Sequence, residues 1–210
     1  MEPTEENVRA WNEAHQPLER PQVGLPPLVR ERLPELRGRH VLHLRCGTGE
    51  ATADLAALGA FVTAVDPSPQ DLAAARANAP TAAFVHAELD RLPLELLRSR
   101  FHLVYAARGT LVEVRDVEAF AHGVLGALRP GGFLLHHDDH PVVHRLDHLL
   151  HWRGDYFDGQ RVRLDELVTA VAQGGMSVRR LEELPPSDPA RRHDPRAPGE
   201  VVLVAMRTNP

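Results

Sequence analysis

Two glycines, Gly47 and Gly49, stand in a short turn of small residues, and a carboxylate, Asp66, closes the next apolar run. Glycine lets a bare backbone come close to a ligand and offer it N–H groups. A carboxylate at the end of the neighbouring strand can accept hydrogen bonds from a pair of hydroxyls. A glycine loop after one strand and an acid after the next is how an open α/β sheet grips a nucleoside. A second group is the run His136, His137, Asp138, Asp139, His140, His144, His148 and His151. Its histidines could bind a divalent metal or move a proton near neutral pH.

The elements that must hold these residues follow from the hydrophobic period. Val41 to Leu44 alternates into the turn, and Glu50 to Leu58 continues as an Ala/Leu-rich helix stopped at Gly59. Ala60 to Val65 is a second strand, ending at Asp66. After Pro67–Ser68–Pro69 comes a helix over Asp71–Asn78, then a third strand, Ala82–Ala87, which ends at Glu88. Phe101–Ala106 is a fourth strand, Val117–Leu128 a helix, and Phe133–His136 a fifth strand. This alternation predicts right-handed crossovers and a parallel, doubly wound sheet. A helix opened by the acids after Thr4 and a shorter one over Leu28–Leu36 make residues 1–37 an N-terminal helical cap, leaving 38–210 as the main domain.

The tail breaks the rhythm. A helix over Leu164–Ala172 leads to strands Ser177–Leu181 and Glu200–Met206 with no helix between them, so these two pair antiparallel. Residues 185–199, rich in Pro, Asp and Arg, form an exposed loop. In the histidine run, positions 140, 144, 148 and 151 share one face if the segment is helical, with Val143, Leu146, Leu149 and Leu150 opposite. The ordinary reading is an amphipathic helix with a wet histidine face. No second motif supports a metal, and none is expected.

Composition narrows the function classes. With 210 residues and 43% hydrophobic content, the chain suits one sizeable domain. A net charge of −5 argues against a nucleic-acid partner. All 24 basic residues are arginine, which excludes Schiff-base and lysine-nucleophile chemistry. Cys46 is the single cysteine, so no internal disulfide forms and a reducing cytoplasm is expected. No run of apolar residues is long enough to cross a membrane.

On these motifs the chain resembles the class I S-adenosylmethionine-dependent methyltransferases. His40–Val41–Leu42–His43–Leu44–Arg45–Cys46–Gly47–Thr48–Gly49 is similar to the family's first motif, V-L-D-L-G-C-G-T-G. The segments Gly59 to Ser68, Ala87 to Pro93 and Leu128 to Phe133 are similar to its next three, in order. The resemblance implies a Rossmann-like sheet of strand order 3-2-1-4-5-7-6 with strand 7 antiparallel. It implies S-adenosyl-L-methionine as cofactor, held by the backbone from Arg45 and Cys46 through Gly47 and Gly49. Asp66, beside Pro67, then accepts from the ribose hydroxyls, Glu88 and the Leu89 backbone take the adenine, and Ala106 lies against the reacting end. His43 and Arg45 depart from the wider family and match a small-molecule subgroup that begins V-L-H-L-Q-C. That subgroup shares His140–Pro141 and Asp155–Tyr156–Phe157. Arg45 could pair with the methionine carboxylate of the cofactor or turn to solvent. His102, where relatives carry an acid, receives no role.

In this family the substrate pocket opens after strand five, which places His140 as a candidate catalytic base for a hydroxyl or amine. Residues 141–163 are then a short lid and substrate insertion. The implied partner is a small-molecule substrate for O-, N- or C-methylation, with no nucleic acid or membrane and the chain a monomer or homodimer. Two rivals stand beside this reading. A nicotinamide-dependent oxidoreductase would want a third small residue where Thr52 stands, and lacks the terminal hairpin. A methyltransferase-like binding protein without turnover is the other, because His43, Arg45 and His102 all replace residues typical of the wider family.

Overall fold

The computed structural model describes residues 24–147, 150–159, 161–186, 194 and 196–208. Residues 1–23, the larger part of the expected cap, and most of the expected loop at 185–199 lie outside the described residues. The alternating runs become strands β1 (His40–Leu44), β2 (Phe61–Asp66), β3 (Ala83–His86) and β4 (Phe101–Ala106). They are followed by β5 (Leu128–Asp139), β6 (Met176–Leu184) and β7 (Glu200–Arg207). Hydrogen bonding orders them β3-β2-β1-β4-β5-β7-β6, with the first five parallel and β7 antiparallel to both its neighbours.

Side-chain caps start two of the longer helices. Helix α1 (Pro27–Arg30) is one turn, shorter than the expected Leu28–Leu36. Helix α2 (Glu50–Ala57) is entered through Gly49, and α3 (Pro69–Asn78) is capped by the Ser68 hydroxyl, which accepts from the Asp71 N–H. A single turn, α4 (Thr110–Glu113), was not expected and follows β4 directly. Helix α5 (Val117–Ala127) is capped by the Asp116 carboxylate, and α6 (Leu164–Gln173) precedes the terminal hairpin.

The strands bury both faces. On one face Leu42, Leu44, Val104, Leu134 and Leu203 pack with Phe120 and Val124 of α5 and Leu167 and Val171 of α6. On the other, Val41, Leu103, Tyr105 and Leu135 pack with Val29 of α1 and Leu55 of α2. Such two-sided cover is what a parallel sheet requires.

Strand β5 runs past the expected His136 to Asp139, because β7 pairs with it from Phe133↔Met206 to Asp139↔Glu200. The His-His-Asp-Asp run is therefore buried strand. Beyond it, the expected amphipathic helix does not form. Pro141–Arg145 is a 3-10 turn, Leu146 bridges to Trp152, and Leu150 has a φ of 64°. Arg145 turns inward to make two hydrogen bonds with Asp158, at 2.8 and 2.7 Å, which a solvent-facing helix position would forbid. His148 and Leu149 lie outside the described residues.

Candidate active site

Strand order reverses between β1 and β4, and a crevice opens there beyond the carboxyl ends of the strands. The two glycines of the first loop serve it differently. At Gly49 (φ 92°) a Cβ would stand 2.8 Å from the Ala75 backbone, so this glycine lets α2 begin against α3. At Gly47 (φ 53°) a Cβ would meet nothing within 4 Å. Gly47 therefore presents bare backbone to open space, the form a ligand cradle takes. Asn78 at the end of α3 donates to the Thr48 carbonyl at 2.8 Å and holds the loop in place.

Asp66 ends β2 fully buried. Its Oδ2 accepts from the Gly47 N–H at 2.8 Å and from Arg45 Nη1 at 2.9 Å, and its Oδ1 accepts from the Ser68 N–H at 2.9 Å. Arg45 has a φ of 60°, which aims its side chain back over the cleft instead of out to solvent. The Arg45 guanidinium is engaged by Asp66 and is not turned out to solvent. Cys46 donates its N–H to the Val65 carbonyl at 3.2 Å and its thiol to the Gly47 carbonyl at 3.7 Å, and burial pushes the thiol up to about 12. The Pro67 carbonyl lies 3.0 Å from His86 Nε2. Glu88 is exposed at the mouth beyond β3, Leu89 is buried, and Ala106 is buried at the top of β4 between Leu44 and His136.

His43 is a packing residue. Its Nδ1 is 2.8 Å from the Thr52 hydroxyl on α2, its ring stacks on Tyr105 with centroids 5.0 Å apart, and burial pushes its pKa down to about 4. Thr52 is thereby used in pinning α2 to β1. His102 accepts the His40 N–H at 3.1 Å at the amino ends of β1 and β4, the opposite end of the strands from this crevice.

The other half of the site was not legible beforehand. Asp138 lies under the loop after β4, where its carboxylate accepts from the N–H groups of Gly109 (2.7 Å), Leu111 (2.8 Å) and Asp139 (2.7 Å). Burial nevertheless pushes it up to about 7. Glu200, at the start of β7, is fully buried and joins Arg108 (2.5 Å) to His137 (3.0 Å). A separation of 92 residues between Arg108 and Glu200 leaves no local signal for that pair. His140 is buried just past β5. Its Nδ1 accepts the Val142 N–H at 3.2 Å, and its Nε2 is 3.0 Å from Glu183 Oε1 on β6. These two line an open cleft of about 710 Å³ whose apolar wall includes Trp152, Tyr156, Phe157, Val168 and Leu181. Among the described residues, no group of three or more histidine, cysteine or acidic side chains is arranged to hold a metal ion. No helix among them is long and apolar enough to cross a membrane.

This fold and crevice are those of the class I methyltransferases. Residues 41–132 match the family model described as a methyltransferase domain. A ubiquinone biosynthesis O-methyltransferase of Methylobacterium sp. is 30% identical over 169 residues, covering 74% of this chain and 65% of that protein. A methyltransferase of Synechocystis sp. is 35% identical over 117 residues, covering 55% of this chain and 52% of that one. The chain thus spans between half and two-thirds of the length of these curated relatives. The crystal structure of an S-adenosylmethionine-dependent methyltransferase from Mesorhizobium loti superposes with a TM-score of 0.72 at 25% identity, covering 86% of this chain and 96% of that one. Over residues 41–132 the chain matches the methyltransferase-domain family, and its fold is shared with S-adenosylmethionine-dependent methyltransferases, whose cofactor is S-adenosyl-L-methionine.

Proposed function

We propose that this chain transfers the methyl group of S-adenosylmethionine to a small-molecule acceptor. The observation that carries the reading is the pairing, along one edge of the sheet, of a cradle at β1–β2 with an aromatic-walled cleft of about 710 Å³ beyond β5. The residues present fit the cofactor. Gly47 offers bare backbone to open space, Asp66 is a hydroxyl acceptor at the end of β2, and Glu88 and Leu89 follow β3 where the adenine would lie. When bound, the sulfonium supplies an already electrophilic methyl carbon, so the protein has to align a nucleophile and exclude water. Residues 38–210 would make the catalytic domain, residues 1–37 a cap, and 141–163 the wall over the acceptor.

The proton chemistry is redirected by the tautomer. Because His140 Nδ1 accepts the Val142 N–H, the ring proton of neutral His140 belongs on Nε2, facing Glu183. The ring then has no free lone pair, and His140 serves as the holder of Glu183. Glu183 is half exposed in the cleft and free to take a proton from an acceptor hydroxyl. An O-methyltransferase among the relatives supports a hydroxyl acceptor.

The test is binding followed by turnover: titration with S-adenosylhomocysteine, then transfer from methyl-labelled cofactor to a panel of phenols, amines and carboxylic acids. Glu183→Gln is expected to lower kcat about 10²-fold on hydroxyl acceptors while leaving cofactor affinity unchanged. Failure of the wild-type protein to bind S-adenosylhomocysteine would overturn the reading. One observation favours the runner-up, a binding protein without turnover: Asp66 Oδ2 is already engaged by Arg45.

A further inference from the structure

Arg45 lies across the cleft instead of beside it. Its Nη1 contacts Asp66 of β2 at 2.9 Å and stands 3.6 Å from Asp71 Oδ2 on α3. On the opposite lip its Nε is 3.7 Å from Glu113 Oε1 on α4 and would stand 3.6 Å from a Cβ built on Gly109. One side chain therefore spans from the β1–β2 side of the crevice to the loop after β4. Its Nε is buried without a hydrogen-bond partner, while the side chain keeps 26% of its exposure. The grip is thus unsaturated at one end and open to water at the other.

Asp66 is the acid that the cofactor's ribose needs, a dependence that rests on the cofactor placement proposed above. Its Oδ2 already takes two donors, so a ribose hydroxyl arriving there competes with the guanidinium for the same oxygen. Releasing Arg45 does not strand a charge, because Asp71 and Glu113 are within one side-chain rotation. We propose that Arg45 is a displaceable strap over the cofactor cleft, which yields Asp66 to the ribose and remains paired with Asp71 and Glu113. The strap opposes nucleoside binding, the reverse of what an arginine serving the cofactor carboxylate would do.

The two roles separate by choice of ligand. S-adenosylhomocysteine carries both the ribose and an amino-acid carboxylate, whereas 5′-methylthioadenosine carries the ribose alone. Calorimetry on wild type, Arg45→Gln and Arg45→Gly is expected to show both ligands tightening by the same factor, on the order of tenfold, the scale of one partly exposed charged hydrogen bond. The gain should vanish when Asp66→Asn is combined with either variant. In the wild-type protein, the 15Nε resonance of Arg45 should shift on saturation with 5′-methylthioadenosine. That readout needs no variant to fold.

Weaker binding of S-adenosylhomocysteine alone, unchanged binding of both ligands, or a static Arg45 resonance would each overturn the strap and leave the cofactor site standing. If Asp66→Asn leaves nucleoside affinity unchanged, or if none of these proteins binds either ligand, the cofactor placement itself fails and the strap with it.

Discussion

Two buried carboxylates stand at the tops of strands in this sheet, Asp66 on β2 and Asp138 on β5, and each accepts backbone N–H groups from a loop that lines the crevice. They differ in the last partner. Asp66 holds a side chain, the half-buried guanidinium of Arg45, whereas Asp138 holds three N–H groups and, among the described residues, no cation in hydrogen-bond contact. A side chain can rotate away and backbone cannot. On the strap proposed above, the first carboxylate exchanges partners with a ligand, while the second fixes the shape of the loop after β4.

That contrast predicts opposite phenotypes. Asp66→Asn should weaken S-adenosylhomocysteine by about 100-fold, since two charge-assisted hydrogen bonds at about 1.5–3 kcal/mol each are degraded. Titration calorimetry checks it. Asp138→Ala should instead lower folding stability by about 3 kcal/mol, because buried N–H groups of Leu111 and Asp139 and that of Gly109 lose their acceptor at about 1–3 kcal/mol apiece. Urea denaturation measures that loss. If the stability loss falls on Asp66 and the affinity loss on Asp138, the assignment of roles is reversed.

The pH dependence of stability sharpens the same comparison. Asp138 is raised to about 7, so between about pH 4 and 7 the native state keeps a proton that the unfolded chain has lost, and stability falls as pH rises. His43 and His136 are lowered to about 4 and about 3, so over roughly pH 4 to 6.5 the unfolded chain holds protons that the native state does not, and stability rises with pH. Two rising contributions oppose one falling one, each about 1.4 kcal/mol per pH unit. His136→Leu should remove one rising contribution and flatten the profile between about pH 4.5 and 6.5. Thermal melts across that range read the effect.

The positions of the candidate cofactor residues were legible because they follow from local geometry. Gly47, Gly49 and Asp66 lie at the ends of consecutive elements, and the alternation that places those elements is visible in the chain itself. The hairpin and the strand order followed from the same rhythm and the resemblance. The acceptor half obeys long-range pairing instead. His137 and Asp139 look like loop residues until β7 pairs alongside them, and Glu200 has no neighbour in sequence that announces Arg108. The histidine period that suggested a helix was overridden by the Arg145–Asp158 pair and the Leu146–Trp152 bridge. Arg45 was visible as an oddity, but its direction depends on a positive φ that the sequence does not state.

Cys46 gives the smallest effect and the finest test of how the first loop works. It sits beside Gly47, inside the segment that would hold the cofactor, with its thiol turned onto the Gly47 carbonyl at 3.7 Å. Burial is the main cause of its raised thiol, with the Asp66 carboxylate pushing the same way, and the result is about 12. At pH 8 roughly one thiol in 10⁴ is then the reactive thiolate, so iodoacetamide should leave the folded protein unmodified while labelling it in urea. Cys46→Ala should change S-adenosylhomocysteine affinity less than about twofold, because the Cys46 N–H to Val65 bond is retained and a small side chain still packs against Ala64 and Leu72. Rapid alkylation of the folded protein, or a tenfold change in affinity, would mean that the loop opens and that the side chain meets the ligand. The contrast between an exchangeable Asp66 and a fixed surrounding loop would then be lost at its centre.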